Sequence, residues 1–567
     1  MRAARSAMPA RFMGAFALAM VTAFGLVPGL APTEVEAATP KLTIVGAATY
    51  DVLPEEGRVA VTVQLTAKNH LKNTATKQFF FRSGFVTVLP GTSNFRLTGG
   101  SATPKVTVSS KTETYTNLKI DFGANLGAGK STKLTLTFDV LDPGGAPDRA
   151  LRISHSLVAF VAWAVATPET PGASVDVRLP VGYGVTVRRG PLDGPTAADA
   201  THEVWSSGTL AKPLDYVAEI AADRPTEFAE SSLDVAMSGG PATVVVRSWP
   251  DDPNWRDRVS SLVERALPLL ERDIGLDWPV DGPLAVHEAL VRNTGGYAGI
   301  FDPAEGRIDI AYAASDGVVL HELAHAWFNG RLVADRWAAE AFASYYAGLA
   351  AVELGIDPAA PTLPDAPSPA AIPLNAWRPS GIEDPETEAW AYAASLQLAK
   401  LIAERAGPAA QHAVWADAAL GIGAYQPESS SGALGGAEPA AGPPDWRGLL
   451  DLFEAKADVD LGDLWRTWVA RPEDGQMLAD RAIARGFYAR SVALAGEWQL
   501  PPAIRQAMRA WRFDVAQELI LAADAVQVQR RRLETAAAAA EATLPDRLRT
   551  AFEGTGGVAA AAAEASA

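Results

Sequence analysis

His321-Glu322-Leu323-Ala324-His325, continuing through Ala326-Trp327-Phe328 and followed by Arg336-Trp337-Ala338-Ala339-Glu340-Ala341-Phe342-Ala343-Ser344-Tyr345, decides how the middle of this chain is read. On a helix, positions i and i+4 lie about 40° apart, so His321 and His325 project side by side and can grip one metal ion. Glu322 then points roughly 100° around the helix, beside such an ion rather than onto it, where a carboxylate can act as general base toward a metal-activated water. A carboxylate inside the apolar run Val318-Val319-Leu320 and Leu323-Ala324 needs a buried partner, which weighs against a helix that merely packs two histidines. Two histidines leave a tetrahedral catalytic zinc one protein ligand short. Glu340 is the candidate third ligand, since it opens the next helix and can face back across the turn at Gly330. The chain contains no cysteine, so a zinc ion here, one per chain, uses His, Asp, Glu or water.

The flanking sequence supplies helix and strand boundaries. Ser315 or Asp316 caps the motif helix and Asn329-Gly330 ends it, while a second helix starts after Asp335 and stops at Gly355. Upstream, Asp252 and Pro253 open a helix whose stripe of Val259, Leu262, Ala266, Leu269 and Leu270 ends before Gly275. Two strands, 283–291 and 307–313, lie between. From about Lys41 to Arg224 the pattern alternates with period two, as in Val59-Ala60-Val61-Thr62-Val63 and Lys133-Leu134-Thr135-Leu136-Thr137, which indicates an all-β sandwich region. Lysines crowd between Lys41 and Lys133, hinting at a division near residues 143–147. The Pro-rich stretch 357–385 is long enough to line a site, and 427–444 reads as a mobile surface loop. Helical pattern resumes over 449–469 and 477–553, and an Ala-rich end, 556–567, reads as disordered tail.

A length of 567 residues calls for several domains, and a formal net charge of −17 argues against nucleic acid as partner. Arg2, Arg5 and Arg11, an apolar run from Phe12 to about Ala31, and small residues at Ala37-Ala38 form the layout of a secretory signal. The expectation is a secreted or extracytoplasmic protein, with no membrane span in the mature chain unless that segment is retained as an anchor.

The run His321-Glu322-Leu323-Ala324-His325-Ala326-Trp327-Phe328 with Glu340-Ala341-Phe342-Ala343-Ser344-Tyr345 resembles the gluzincin metallopeptidases of the membrane alanyl aminopeptidase family. In that family a glutamate opening a Glu-Gly-Phe-Ala-x-Tyr segment is the third zinc ligand, eighteen residues after the second histidine; this chain has fourteen, and Ala341 replaces the glycine. The resemblance implies a catalytic tyrosine stabilising the oxyanion, for which Tyr392 is the candidate, although a core or helix-capping role is equally open. It also implies an amine-binding Gly-x-Met-Glu-Asn strand ahead of the first histidine. The corresponding segment here is Gly295-Gly296-Tyr297-Ala298-Gly299, with alanine at the glutamate position; it is either a substrate-binding strand edge or a plain glycine turn.

Together these readings predict a multidomain protein: a signal peptide (1–37), a β-sandwich domain (41–230), an α+β thermolysin-like zinc catalytic domain (231–472), a helical C-terminal region (473–555) and a tail (556–567). The function expected is zinc-dependent hydrolysis of peptide or protein substrates, with strict aminopeptidase specificity in doubt. The competing expectation is an inactive zinc-binding surface or scaffold protein.

Overall fold

The computed structural model describes residues 40–566, apart from 146–148, 150, 225–226, 292–293, 359, 365, 428–435 and 544–545. The expected signal segment, 1–37, lies outside the described residues.

The alternating N-terminal sequence forms β1 (Leu42–Leu53), β2 (Arg58–Asn69), β3 (Phe80–Val88), β4 (Thr92–Gly99), β5 (Lys105–Lys111), β6 (Thr116–Gly127) and β7 (Ser131–Leu141). Beyond residue 147 follow β8 (Arg152–Ile153), β9 (Leu157–Trp163), β10 (Ser174–Pro180), β11 (Gly184–Arg189), β12 (Asp193–Ala198), β13 (His202–Ser206) and β14 (Val217–Asp223). They build sheets of order β12-β13-β10-β1-β2-β7-β4, β11-β14-β9-β8 and β3-β6-β5. Every second residue of β2 is buried, from Val59 to Asn69, as a strand half-covered by a second layer requires. One apolar core joins residues from Ile44 to Ala222, so the shift in lysine content near 143–147 marks no break in the core.

The next sheet has the order β15-β16-β17-β19-β18, with β15 (Ala229–Val235), β16 (Ala242–Ser248), β17 (Leu284–Ala289), β18 (Gly299–Asp302) and β19 (Arg307–Ala311). β16, β17 and β19 run parallel, whereas β18 pairs antiparallel with β19 and forms the sheet's edge. Helix α1 (Pro253–Ile274) makes the crossover from β16 to β17. Its boundaries are those read from the sequence: Asp252 accepts from Trp255 N, and Gly275 closes the helix at φ 76°.

Helices α2 (Asp316–Ala324) and α3 (Arg336–Leu354) carry the decisive stretch, and α4 (Pro385–Ala419) follows with a break at Gly407. Helix α2 is shorter than the sequence implies. It ends at Ala324, because the Asn329 amide donates to the carbonyls of His325 and Ala326 at 2.9 and 3.0 Å and folds 325–328 into turns. Phe328 stacks on Phe342 and Tyr346 of α3, and Trp415 of α4 meets Phe328 and Phe342 edge-on. This aromatic wedge fixes α2 against α3.

The C-terminal part is helical: α5 (Trp446–Ala457), α6 (Gly462–Leu464), α7 (Gly475–Ala495), α8 (Pro502–Arg509), α9 (Phe513–Ala539), α10 (Arg547–Glu553) and α11 (Gly557–Ser566). The core around α1 to α5 continues past residue 472 through Leu478, Met508 and Ala516, so no gap in packing separates 231–472 from the following helices. A small second core holds α9 to α11. The Ala-rich end read as disordered tail is helix α11, since Ala561 is buried beside Phe552 and Leu548. Pro444 in the expected loop 427–444 accepts from Ala334 N at 3.0 Å, and Glu438 pairs with Arg505 and Arg509, so this end of the segment is held. Among the described residues no helix is long and apolar enough to cross a membrane.

Candidate active site

His321 lies in the last turn of α2, and His325 follows as its C-cap in helical conformation, its N–H still donating to His321 O at 3.2 Å. The two imidazoles therefore keep the i, i+4 relation, with Nε2 atoms 3.0 Å apart. Glu340, one turn into α3, places Oε2 3.2 Å from His321 Nε2 and 3.3 Å from His325 Nε2. Tetrahedral bonds of roughly 2.0 Å set ligand atoms about 3.3 Å apart, so this triangle fits a zinc ion. Among the described residues it is the one group of three His, Asp or Glu ligands close enough to share a metal.

The surroundings support the same fit. His325 Nδ1 donates to Phe328 O at 2.7 Å, which leaves its Nε2 lone pair aimed at the cluster, and His321 Nδ1 meets Ser344 Oγ at 3.2 Å. Glu340 Oε2 is buried and finds no hydrogen bond of good geometry. Three electron-rich atoms facing one another demand a cation or protons. Against desolvation, the Glu340 charge lifts His325 to about 9, and both rings hold Glu340 far below the usual carboxylate range although its burial acts in the opposite sense. Burial pulls His321 down.

Glu322 is buried beside this cluster, and desolvation lifts its carboxyl to about 8. It packs on the edge strand: a Cβ at Gly299 would lie 2.6 Å from Glu322 Cγ and 2.7 Å from Oε1. Phe301 N–H donates to the carboxylate. Only glycine at 299 lets β18 approach this closely.

Tyr392, on α4, is buried, and its oxygen accepts from Arg336 Nη2 at 3.2 Å. Arg336, in the first turn of α3, ties the whole site together. It donates twice to Glu388, at 3.0 and 3.1 Å, lies 4.0 Å over the Trp377 ring, and brings Nε within 3.9 Å of Glu340 Oε1. Desolvation, then the Glu340 charge, pushes the Tyr392 phenol well above its ordinary range. Trp377, from the Pro-rich stretch 357–385, donates to Glu388 at 3.1 Å, so that stretch does line the site.

The segment Gly295-Gly296-Tyr297-Ala298 is not a strand. Gly295 and Gly296 have φ of 65° and 98° and form a turn leading into β18, whose first residue is Gly299. The Tyr297 hydroxyl donates to Glu388 at 3.3 Å and accepts from Gly381 N at 3.0 Å, so it braces the second layer of the site. The strand edge sought at 295–298 begins one residue later. Asp335, read as a helix cap, instead accepts from Trp446 N at 2.5 Å.

Sequence reasoning overlooked Gly299, Arg336, Trp377 and Glu388. A usable signal existed for two of them: Glu388 lies four residues before Tyr392 and Arg336 four before Glu340, each pair on one helix face.

No protein-family model matches the sequence, and no curated protein matches it. Among solved structures, a mutant M1 zinc metallopeptidase from Deinococcus radiodurans aligns at 17% identity and TM-score 0.32, covering 75% of this chain and 93% of its own. A two-domain M1 zinc metallopeptidase mutant bound to L-tryptophan aligns at 18% identity and TM-score 0.31, covering 76% and 95%. A third, a mutant M1 zinc metallopeptidase from Deinococcus radiodurans bound to a Tyr-Ser-Ala substrate, gives 17% and 0.30, covering 75% and 93%. These neighbours are zinc metallopeptidases, but superposition this loose decides nothing about the chemistry of the present chain, which rests on its own site.

Proposed function

We propose that this protein is a zinc-dependent metallopeptidase whose zinc is held by His321, His325 and Glu340. The observation that carries the proposal is the convergence of their three ligand atoms, mutually 3.0 to 3.3 Å apart, with the buried Glu322 carboxylate beside them. When bound, zinc supplies a Lewis acid that acidifies water and polarises a peptide carbonyl. Glu322, lifted by burial toward neutrality, is suited to take the proton of the attacking water and return it to the leaving amine. Tyr392, whose oxygen accepts a hydrogen bond from Arg336, carries a hydroxyl of the kind that can donate toward a developing oxyanion. The edge strand β18, whose Phe301 N–H is taken by Glu322, runs directly beside that carboxylate and is the sheet edge that an extended peptide would meet.

Within this reading, residues 231–472 make up a thermolysin-like catalytic unit, with the β domain at 41–230 before it and the helical region 473–555 after it. We assign the N-terminal apolar segment to export. Cleavage does not depend strictly on a free substrate N-terminus: Ala298 offers no anion, and the nearby Glu388 is committed to Arg336, Trp377 and Tyr297. Incubation of the zinc-loaded protein with a broad peptide library, in free and N-acetylated forms, tests both statements. Chelator-sensitive cleavage of both forms is expected. No turnover on any peptide by protein carrying one zinc would refute the peptidase and leave a binding protein; exclusive cleavage of free N-termini would refute the specificity.

A further inference from the structure

Nine of the chain's twelve lysines lie between Lys41 and Lys133. Residues 41–141 carry twelve Lys and Arg side chains against six Asp and Glu, in a chain whose formal net charge is −17. The first strands are thus a basic body joined to a strongly acidic remainder. All nine lysines are exposed. Among the described ion pairs the lysine involved is Lys456, with Asp417, and none of the nine takes part.

Strand register gathers six of them at one end. β1 and β2 pair with Leu42 opposite Asn69 and Thr43 opposite Lys68, and β2 and β7 pair with Lys68 opposite Ser131 and Thr66 opposite Lys133. Lys41 O accepts from His70 N and Lys130 O from Asn69 N, each at 3.0 Å. Lys72 and Lys77 stand in the loop between β2 and β3, which Thr74 N closes by donating to Lys77 O.

That loop is fixed from below by Asn69, which is fully buried. The Asn69 amide donates to Leu126 O at 2.9 Å and Phe79 O at 3.4 Å, and its Oδ1 accepts from Leu71 N at 2.9 Å. Beside the loop stands Phe80, 51% exposed. Asp51 and Asp139 of the same strands lie toward the opposite end, roughly 30 Å along β1 from Leu42 and roughly 20 Å along β7 from Lys133 at about 3.3 Å per residue. Glu169, three residues past the bridge between Val45 and Ala166, and Asp121, paired with Ser83 three residues from Phe80, are carboxylates that lie closer to the basic end.

We infer that this end of the β unit, carrying Lys41, Lys68, Lys72, Lys77, Lys130 and Lys133, docks on an anionic lipid surface. Unpaired ammonium groups complement lipid phosphates, and an exposed aromatic ring beside them suits the headgroup layer. A membrane meets only one side of the molecule, so the acidic remainder is not forced against it as it would be along a wrapped polyanion. Connectivity points the same way. In sequence, the chain enters the β unit at its lysine end, ten residues after the apolar run 12–31.

The test is sedimentation of the full chain with phosphatidylcholine vesicles and with vesicles containing about 30% phosphatidylglycerol, at about 0.1 and 0.5 M NaCl. At low salt the anionic vesicles are expected to bind at least tenfold more tightly, and the difference should vanish at high salt. The double variant Lys72→Glu, Lys77→Glu should lose roughly tenfold or more in affinity, while Arg188→Glu, Arg189→Glu, an equal charge change on β11, should not. Both lysines are exposed, so unchanged melting should verify the fold. Equal binding to neutral vesicles, or an unchanged affinity of the lysine variant, would overturn the inference. Salt-sensitive binding to an acidic polysaccharide without vesicle binding would overturn the lipid assignment.

Discussion

Replacing Gly299 by alanine perturbs Glu322, the proposed general base, without touching a proposed metal ligand. Gly299 does not have positive φ, so the substitution brings no backbone strain of its own. The new methyl would sit 2.6 Å from Glu322 Cγ, 2.7 Å from Oε1 and 2.9 Å from Cδ, where ordinary contact begins near 3.4 Å. The overlap is about 0.8 Å, on a side chain that is buried between β18 and α2. Overpacking of this kind costs about 1–3 kcal/mol of stability, which a melting curve reads. If Glu322 gives way by about 1 Å, a loss on the order of 10²-fold in kcat is expected, because reacting groups tolerate little misplacement. The assay is kcat on a peptide cleaved by the unaltered protein, with zinc content measured in parallel. Expected is a hundredfold lower kcat at one zinc per chain. Activity within about twofold of the parent would refute the placement of Glu322 against β18, and joint loss of zinc and activity would assign the effect to the ligands instead.

Glu322→Gln should retain zinc and lower hydrolysis by orders of magnitude, measured by turnover and metal content together. Removing zinc with a chelator should lower stability by about 4 kcal/mol relative to protein in free zinc at about 1,000 times its dissociation constant, and His325→Ala should remove the zinc dependence of melting. Arg336→Met leaves Glu388 buried without its cation and should cost about 3–5 kcal/mol in denaturant titration, whereas Arg336→Met with Glu388→Gln should cost less. Desolvation, aided by Arg247 and Arg307, holds His287 down to about 4. The unfolded ring titrates near 6.5, so the stability it contributes is full above pH 6.5 and is lost as pH falls toward 4; after discounting for partial exposure, His287→Gln should flatten this limb by about 1–2 kcal/mol.

The helices bearing the site were legible because their chemistry is local. Caps, a 3.6-residue period and the pair His321 and His325 are all set within a few residues, and α1 and α3 begin and end where those signals place them. The approach of Glu340 to the histidines followed from one turn between two helices. What escaped notice depends on contacts between distant segments. Gly299 matters only because β18 is laid against Glu322, and the Glu388 network takes Trp377, Tyr297 and Arg336 from three separate stretches. The early end of α2 depends on a side chain, Asn329, bonding back to carbonyls that a helix would otherwise use. Helix α11 forms because α9 and α10 provide an apolar surface that composition alone does not reveal.

The central claim is that His321, His325 and Glu340 hold one zinc ion. X-ray absorption at the zinc edge, on protein loaded with one equivalent, measures this most directly. The expected first shell has two imidazole nitrogens and a carboxylate oxygen at roughly 2.0–2.2 Å, with one nitrogen lost in His325→Ala. No stoichiometric zinc, or a first shell unchanged by His325→Ala and by Glu340→Ala, would contradict it.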